Sequence, residues 1–127
     1  MNVVISGATG GVGKAVAKLF ASKGYSIILL GRNIEKLSEL SEYISENYKV
    51  SVDFYQCSAE NIEEVRNCIK DINKFTEKID LLINIAGVFP HGPILEMSES
   101  SYDNCMDVNL KLPYLLSIGL FDKLKKN

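Results

Sequence analysis

Four glycines fall within seven residues near the N-terminus, in the stretch Ser6-Gly7-Ala8-Thr9-Gly10-Gly11-Val12-Gly13. Their placement matters more than their number. A short β-branched run, Asn2 to Ser6, leads into them. An apolar periodicity leads out: Val12, Ala15, Val16, Leu19 and Phe20 fall at i, i+3, i+4, i+7 and i+8 and predict a helix over Gly11 to Lys23. A turn stripped of side chains lets backbone come close to a bound pyrophosphate. The start of the following helix supplies free N–H groups and a partial positive charge. Gly13 would let that helix lie close on the strand. The competing reading is a tight strand-to-helix turn that binds nothing. The strand before, the helix after and the alternation beyond favour the binding turn.

The rest of the chain continues the alternation. Gly24 stops the first helix. Tyr25 to Leu30 is almost continuously apolar, as a strand covered on both faces should be. Asn33 can cap a second helix whose Ile34, Leu37, Leu40 and Ile44 share a face. Val50 to Tyr55 reads as a third strand. A third helix runs from about Ala59 to Phe75, with Ile62, Val65, Ile69 and Ile72 on one stripe and Cys68 on the same side. Ile79 to Ile85 is a fourth strand, and Gly87 to Met97 a loop. Ser98 can cap a last helix through Asn109, which Pro113 should bend or break before an amphipathic segment ending at Lys125. Strands alternating with helices predict an α/β fold built on a doubly wound parallel sheet. Right-handed crossovers give the strand order 3-2-1-4, with the ligand crevice between strands 1 and 4.

Composition narrows the function classes. The 127 residues suit one domain, spanning residues 1–127. A formal net charge of −2 argues against a broad nucleic-acid surface. No apolar run approaches the roughly 20 residues of a membrane helix, and no charged leader precedes an apolar stretch. Cys57, Cys68 and Cys105 form no Cys-x-x-Cys pair and no metal spacing. They read as reduced thiols of a cytoplasmic protein without a metal site.

Three ordered motifs carry a resemblance. Ser6-Gly7-x-x-x-Gly11-x-Gly13 resembles the Thr-Gly-x-x-x-Gly-x-Gly signature of the short-chain dehydrogenase/reductase family, with Ser6 for Thr. Gly7, Gly10 and Gly13 also fit the spacing of that family's epimerase-like branch. Asn84-Ile85-Ala86-Gly87 resembles the family's Asn-Asn-Ala-Gly, and Asp107-Val108-Asn109-Leu110-Lys111 its Val-Asn-Leu segment. Pro93, Ser98 and Tyr102 also fall where the family has a Pro, a helix cap and an aromatic. Together these point to the ordinary reductase branch and cover the whole chain. The resemblance implies a Rossmann-like fold binding a nicotinamide dinucleotide.

Within that resemblance, Gly7, Thr9, Gly11, Val12 and Gly13 are expected at the pyrophosphate. Gly31 occupies the position at the end of strand 2 where an acid would select NAD(H). Arg32 follows, next to Asn33, and its guanidinium can pair with a ribose 2′-phosphate, so NADP(H) is favoured over NAD(H). Ser58 stands where the family has an Asp facing adenine. Asn84, Ala86 and Gly87 are expected beside the adenosine ribose, Asn84 equally as a stitch between strands.

The implied reaction is hydride transfer to or from a small carbonyl or alcohol. The family's proton donor is a Tyr, followed four residues later by a Lys, so that both share a helix face. None of the six Tyr here is followed by such a Lys. Asn109 matches the family's Asn and is the one member of the catalytic set in this chain. His91 could overhang the nicotinamide, or stand solvated in its loop. The expectation is therefore an NADP(H)-dependent short-chain oxidoreductase of which this chain is the cofactor-binding half, truncated and inactive alone. The alternative is a non-catalytic dinucleotide-binding or regulatory module ending near Asn127. Strand 4 and the last helix would expose apolar surface in either case, which predicts a homo-oligomer.

Overall fold

A computed structural model describes residues 1–125. Four parallel strands form one sheet in the order β3-β2-β1-β4, as the alternation predicts. They are β1 (Asn2–Ser6), β2 (Ser26–Gly31), β3 (Val52–Gln56) and β4 (Leu81–Asn84). Val4 pairs with Ile28 on one side and Leu82 on the other, so β1 lies between β2 and β4. Helices α1 (Gly11–Ser22), α2 (Ile34–Tyr48) and α3 (Ile62–Phe75) connect the strands.

Period-two alternation divides the core between the two faces. Val3, Ile5, Ile27 and Leu29 pack on one side with Ala17, Ala21, Leu37 and Ile44 of α1 and α2. Val4, Ile28 and Leu30 pack on the other with Val65, Cys68 and Ile72 of α3. Fully burying one such aliphatic side chain stabilises by about 1.5–3 kcal/mol, which is why the buried side chains of the inner strands are aliphatic. Ser6, at the end of β1, is the exception: it is buried, and it reaches the ligand crevice.

Several boundaries differ from the sequence expectation. The buried stripe of α1 is Gly13, Ala17 and Ala21, with Val16 and Phe20 partly buried beside it, rotated away from Val12 and Leu19, which stand 65% and 52% exposed. Close packing on the sheet favours small residues, and Gly13, Ala17 and Ala21 supply them one helical turn apart. Ile34 is likewise exposed while Leu37, Leu40 and Ile44 are buried. Helix α3 starts at Ile62, because Asn61 Oδ1 accepts the Glu64 N–H at 3.2 Å and caps it there. β4 is shorter than Ile79 to Ile85, although Ile79 is fully buried ahead of it.

Pro113 does not break the last helix. After α4 (Glu99–Met106), a π turn over Asp107–Lys111 carries the chain into α5 (Leu112–Gly119). The Leu112 N–H bonds to the Asp107 carbonyl, five residues back. Pro113 then sits in the first turn of α5, where a missing N–H is tolerated. A short helix α6 (Phe121–Leu124) follows.

One flank is open. Among the described residues β4 pairs with β1 alone. Beside it, Tyr102, Met106, Leu110, Tyr114, Ile118 and Phe121 recur along α4 to α6 and are all exposed. No helix of the described residues is long and apolar enough to cross a membrane.

Candidate functional site

A cleft of about 1290 Å³ opens at the C-terminal ends of the strands. Its walls come from the glycine turn, the starts of α2 and α3, the segment after β4, and Val108 and Leu112. Two glycines are required by packing. Gly7 has φ +70°, and a Cβ there would lie 2.5 Å from the Ala86 nitrogen. A Cβ on Gly13 would overlap the Gly7 carbonyl oxygen, so the helix crosses its own turn at backbone contact. Gly11 differs: nothing lies within 4 Å of where its Cβ would be, and it lines the cleft.

The glycine turn uses some of its own hydrogen bonds. The Ala8 N–H donates to the Leu30 carbonyl at 3.1 Å, and the Gly10 N–H to the Gly7 carbonyl at 3.3 Å. Helix α1 has no side-chain cap at Gly10 and no acid in its first turn. Helices α2, α3 and α4, by contrast, are capped by Asn33, Asn61 and Ser98. The Ser6 hydroxyl in the cleft wall is buried without a partner. An uncapped helix start, an orphaned hydroxyl and an open glycine face fit a bound anion.

The far side of the cleft is built by the ends of β2 and β3. The Cys57 N–H donates to the Gly31 carbonyl at 2.7 Å. Gln56 Nε2 donates to the Arg32 carbonyl at 3.0 Å and holds that backbone in place. The Arg32 side chain projects to the cleft mouth, with Nη1 3.9 Å from Glu60 Oε1. Asn33 lines the cleft while its Oδ1 accepts the Lys36 N–H at 3.0 Å. Ser58 lines the wall beside Cys57. Behind it the Cys57 and Cys68 thiols share a hydrogen bond, which together with burial pushes the Cys68 thiol up.

Ala86 and Gly87 border the cleft, and Asn84 and Asn109 do not. Asn84 is the last residue of β4, in register with Ser6, and is exposed. Asn109 Oδ1 accepts the Val88 N–H at 2.8 Å, and its Nδ2 donates to the Val88 carbonyl at 2.9 Å. It clamps the segment after β4 to the π turn between α4 and α5. His91 lies in an exposed loop away from the cleft. Gln56, Glu60 and Leu112 belong to the wall and were not singled out from the sequence, and Val108, quoted there only within its motif, joins them. Glu60 follows Ser58 by two residues and Val108 precedes Asn109, so proximity to motif residues was the available signal.

A family model described as short chain dehydrogenase matches residues 1–127. The chain belongs to the short-chain dehydrogenase/reductase family. The 3-oxoacyl-(acyl-carrier-protein) reductase FabG of Rickettsia conorii is 32% identical over 124 residues, 98% of this chain and 48% of that protein. The chain thus spans about half the length of the curated relatives it matches. The alcohol dehydrogenase of the archaeon Thermococcus sibiricus, solved with 5-hydroxy-NADP, is 25% identical with a TM-score of 0.93 over 98% of this chain and 53% of that one. A metagenomic short-chain oxidoreductase solved with NADP is 27% identical, with a TM-score of 0.90 over 98% of this chain and 56% of that one. Within the short-chain dehydrogenase/reductase fold, ten of the twelve residues expected at the site lie in the cleft wall; Asn109 holds the wall residue Val88 from outside, and Asn84 ends β4 beyond the wall.

Proposed function

We propose that the chain is the cofactor-binding half of an NADP(H)-dependent short-chain oxidoreductase for a small carbonyl or alcohol. The observation that carries this is the uncapped glycine turn of α1 facing Arg32 across one cleft. NADP named in the two solved relatives supports the same cofactor. When bound, the dinucleotide supplies or accepts hydride at its nicotinamide. Gly11, Val12 and Gly13 would hold the pyrophosphate on the helix start, with Thr9 beside them. Arg32 would pair with the 2′-phosphate, Asn33 and Ser58 would border the adenosine, and Ala86 and Gly87 would close the ribose side. Asn109 acts as a positioning residue through Val88. The three cysteines are free of disulfides, which fits a cytoplasmic setting.

Arg32 provides the test. A charge-assisted pair contributes about 1.5–3 kcal/mol, so Arg32→Ala should weaken NADPH by roughly ten-fold or more. NADH, which lacks the phosphate, should change little. Isothermal titration of both cofactors measures this, and equal losses would refute the assignment.

A second reading is a non-catalytic dinucleotide-binding module. Its supporting observation is that no Tyr of the chain has a Lys four residues later. The intact mass of the protein from its native cells separates the two. A mass near 14.1 kDa favours the module, and roughly twice that, as the relatives' lengths imply, favours the reductase.

A further inference from the structure

Arg32 is not the only charge at the ribose end of the cleft. Glu60, in the loop between β3 and α3, faces it with an Nη1 to Oε1 distance of 3.9 Å. The two side chains are 67% and 62% exposed, and both residues border the cleft. No other ion pair of the cleft wall is present among the described residues. Gly31 leaves the end of β2 without a carboxylate, so Glu60 is the acid that the fold brings up to the guanidinium. The first turn of α2 adds Glu35 and Lys36 nearby, which offset each other in charge.

We propose that Glu60 is a specificity-determining residue that limits the preference for a 2′-phosphorylated cofactor. The inference rests on the reading of Arg32 as the 2′-phosphate partner. In the free protein, Glu60 engages the guanidinium. A 2′-phosphate arriving at Arg32 would sit beside that carboxylate, carrying nearly two negative charges of its own. The repulsion acts within the Debye length of about 8 Å at physiological salt, so it is weakened by solvent but not removed. A ribose with a free 2′-hydroxyl meets no such penalty and can donate to the same carboxylate. Glu60 therefore opposes NADP(H), and Arg32 favours it.

The test compares adenosine 2′,5′-bisphosphate with 5′-AMP, which differ by the 2′-phosphate and need no nicotinamide contacts. The full chain and its Glu60→Gln and Arg32→Ala variants are titrated at low salt and again at about 1 M salt, where the Debye length falls to about 3 Å. Glu60→Gln is expected to tighten the bisphosphate by roughly three- to ten-fold at low salt, while 5′-AMP stays within about two-fold or weakens. The gain should shrink at high salt. An unchanged ratio of the two affinities in Glu60→Gln, with Arg32→Ala still selectively losing the bisphosphate, overturns the role of Glu60 and leaves that of Arg32 standing. A wild-type chain that binds neither nucleotide, or an Arg32→Ala variant with an unchanged ratio, overturns the parent reading and this one with it.

Discussion

Gly11 and Gly13 are two residues apart and do unlike work. Gly13 is held against the Gly7 carbonyl, and any Cβ there collides with backbone that cannot move aside. Overpacking commonly costs about 1–3 kcal/mol, and a backbone clash belongs at or beyond the top of that range. Gly13→Ala is thus expected to lower the thermal midpoint sharply or to prevent folding. Gly11 has open space around its Cβ direction and sits at the first position of a helix. Gly11→Ala should leave the midpoint nearly unchanged yet weaken NADPH, because its methyl enters the cleft. Thermal denaturation and cofactor titration of the two variants check both halves. A Gly11→Ala protein that binds as wild type would show that the turn does not approach the pyrophosphate. The glycine cluster and the packing of Gly13 were legible in the sequence, but the contact of Gly7 with Ala86 and the open space at Gly11 depend on how α1 lies on the sheet.

Elements are joined by small polar contacts at their ends. The start of β4 is tied to β1 by the Asn2 N–H, which donates to Asp80 Oδ2 at 2.7 Å, and by the Asp80 N–H donating to the Asn2 carbonyl at 2.9 Å. That Asn2 N–H, with Lys78 3.5 Å away as a lesser cause, holds the Asp80 carboxyl below the usual carboxylate range. A depressed folded-state pKa contributes stability that is present above the unfolded value of about 3.9 and lost as pH falls through the folded value. Urea unfolding of wild type and Asp80→Asn should differ at pH 7 and converge in acid. Curves that stay parallel down to about pH 2 would remove Asp80 from the acid limb. At this scale the sequence located the four strands and the three helices between them, but not the 3-10 turn at Ile94–Glu96 or the division of the last helical segment. It misjudged the stripe of α1, because periodicity marks apolar residues and the sheet selects small ones. It also misjudged Pro113, because the π turn shifts the hydrogen-bond ladder upstream of the proline.

The whole molecule has one finished side and one bare one. β2 and β1 are covered on both faces, whereas among the described residues β4 leaves one edge unpaired, and Leu110, Tyr114 and Ile118 of the last helical segment are exposed. The chain covers about half of its relatives' length, so in a longer protein further structure could share this flank. The 127-residue chain by itself is expected to bury the flank against a second copy. Light scattering over a rising concentration series should show a mass above 14.1 kDa, and a constant 14.1 kDa would refute self-association.

The alternation of β-branched runs with helical periodicities, punctuated by glycines, determined the parallel sheet, its 3-2-1-4 order and the place of the cleft. These follow from local patterns and the handedness of crossovers, both of which a linear sequence records. The same patterns placed the glycine turn, while Arg32 and the segment after β4 were named through the family resemblance. Tertiary structure decided what faces what. It set Glu60 against Arg32 across residues that share no motif, and turned Asn109 onto Val88 instead of into the cleft. It also left Ser6 buried and partnerless at the crevice. Such relations join residues far apart along the chain, and only the packing of α1, α3 and α5 on the sheet brings their side chains to one distance and one direction.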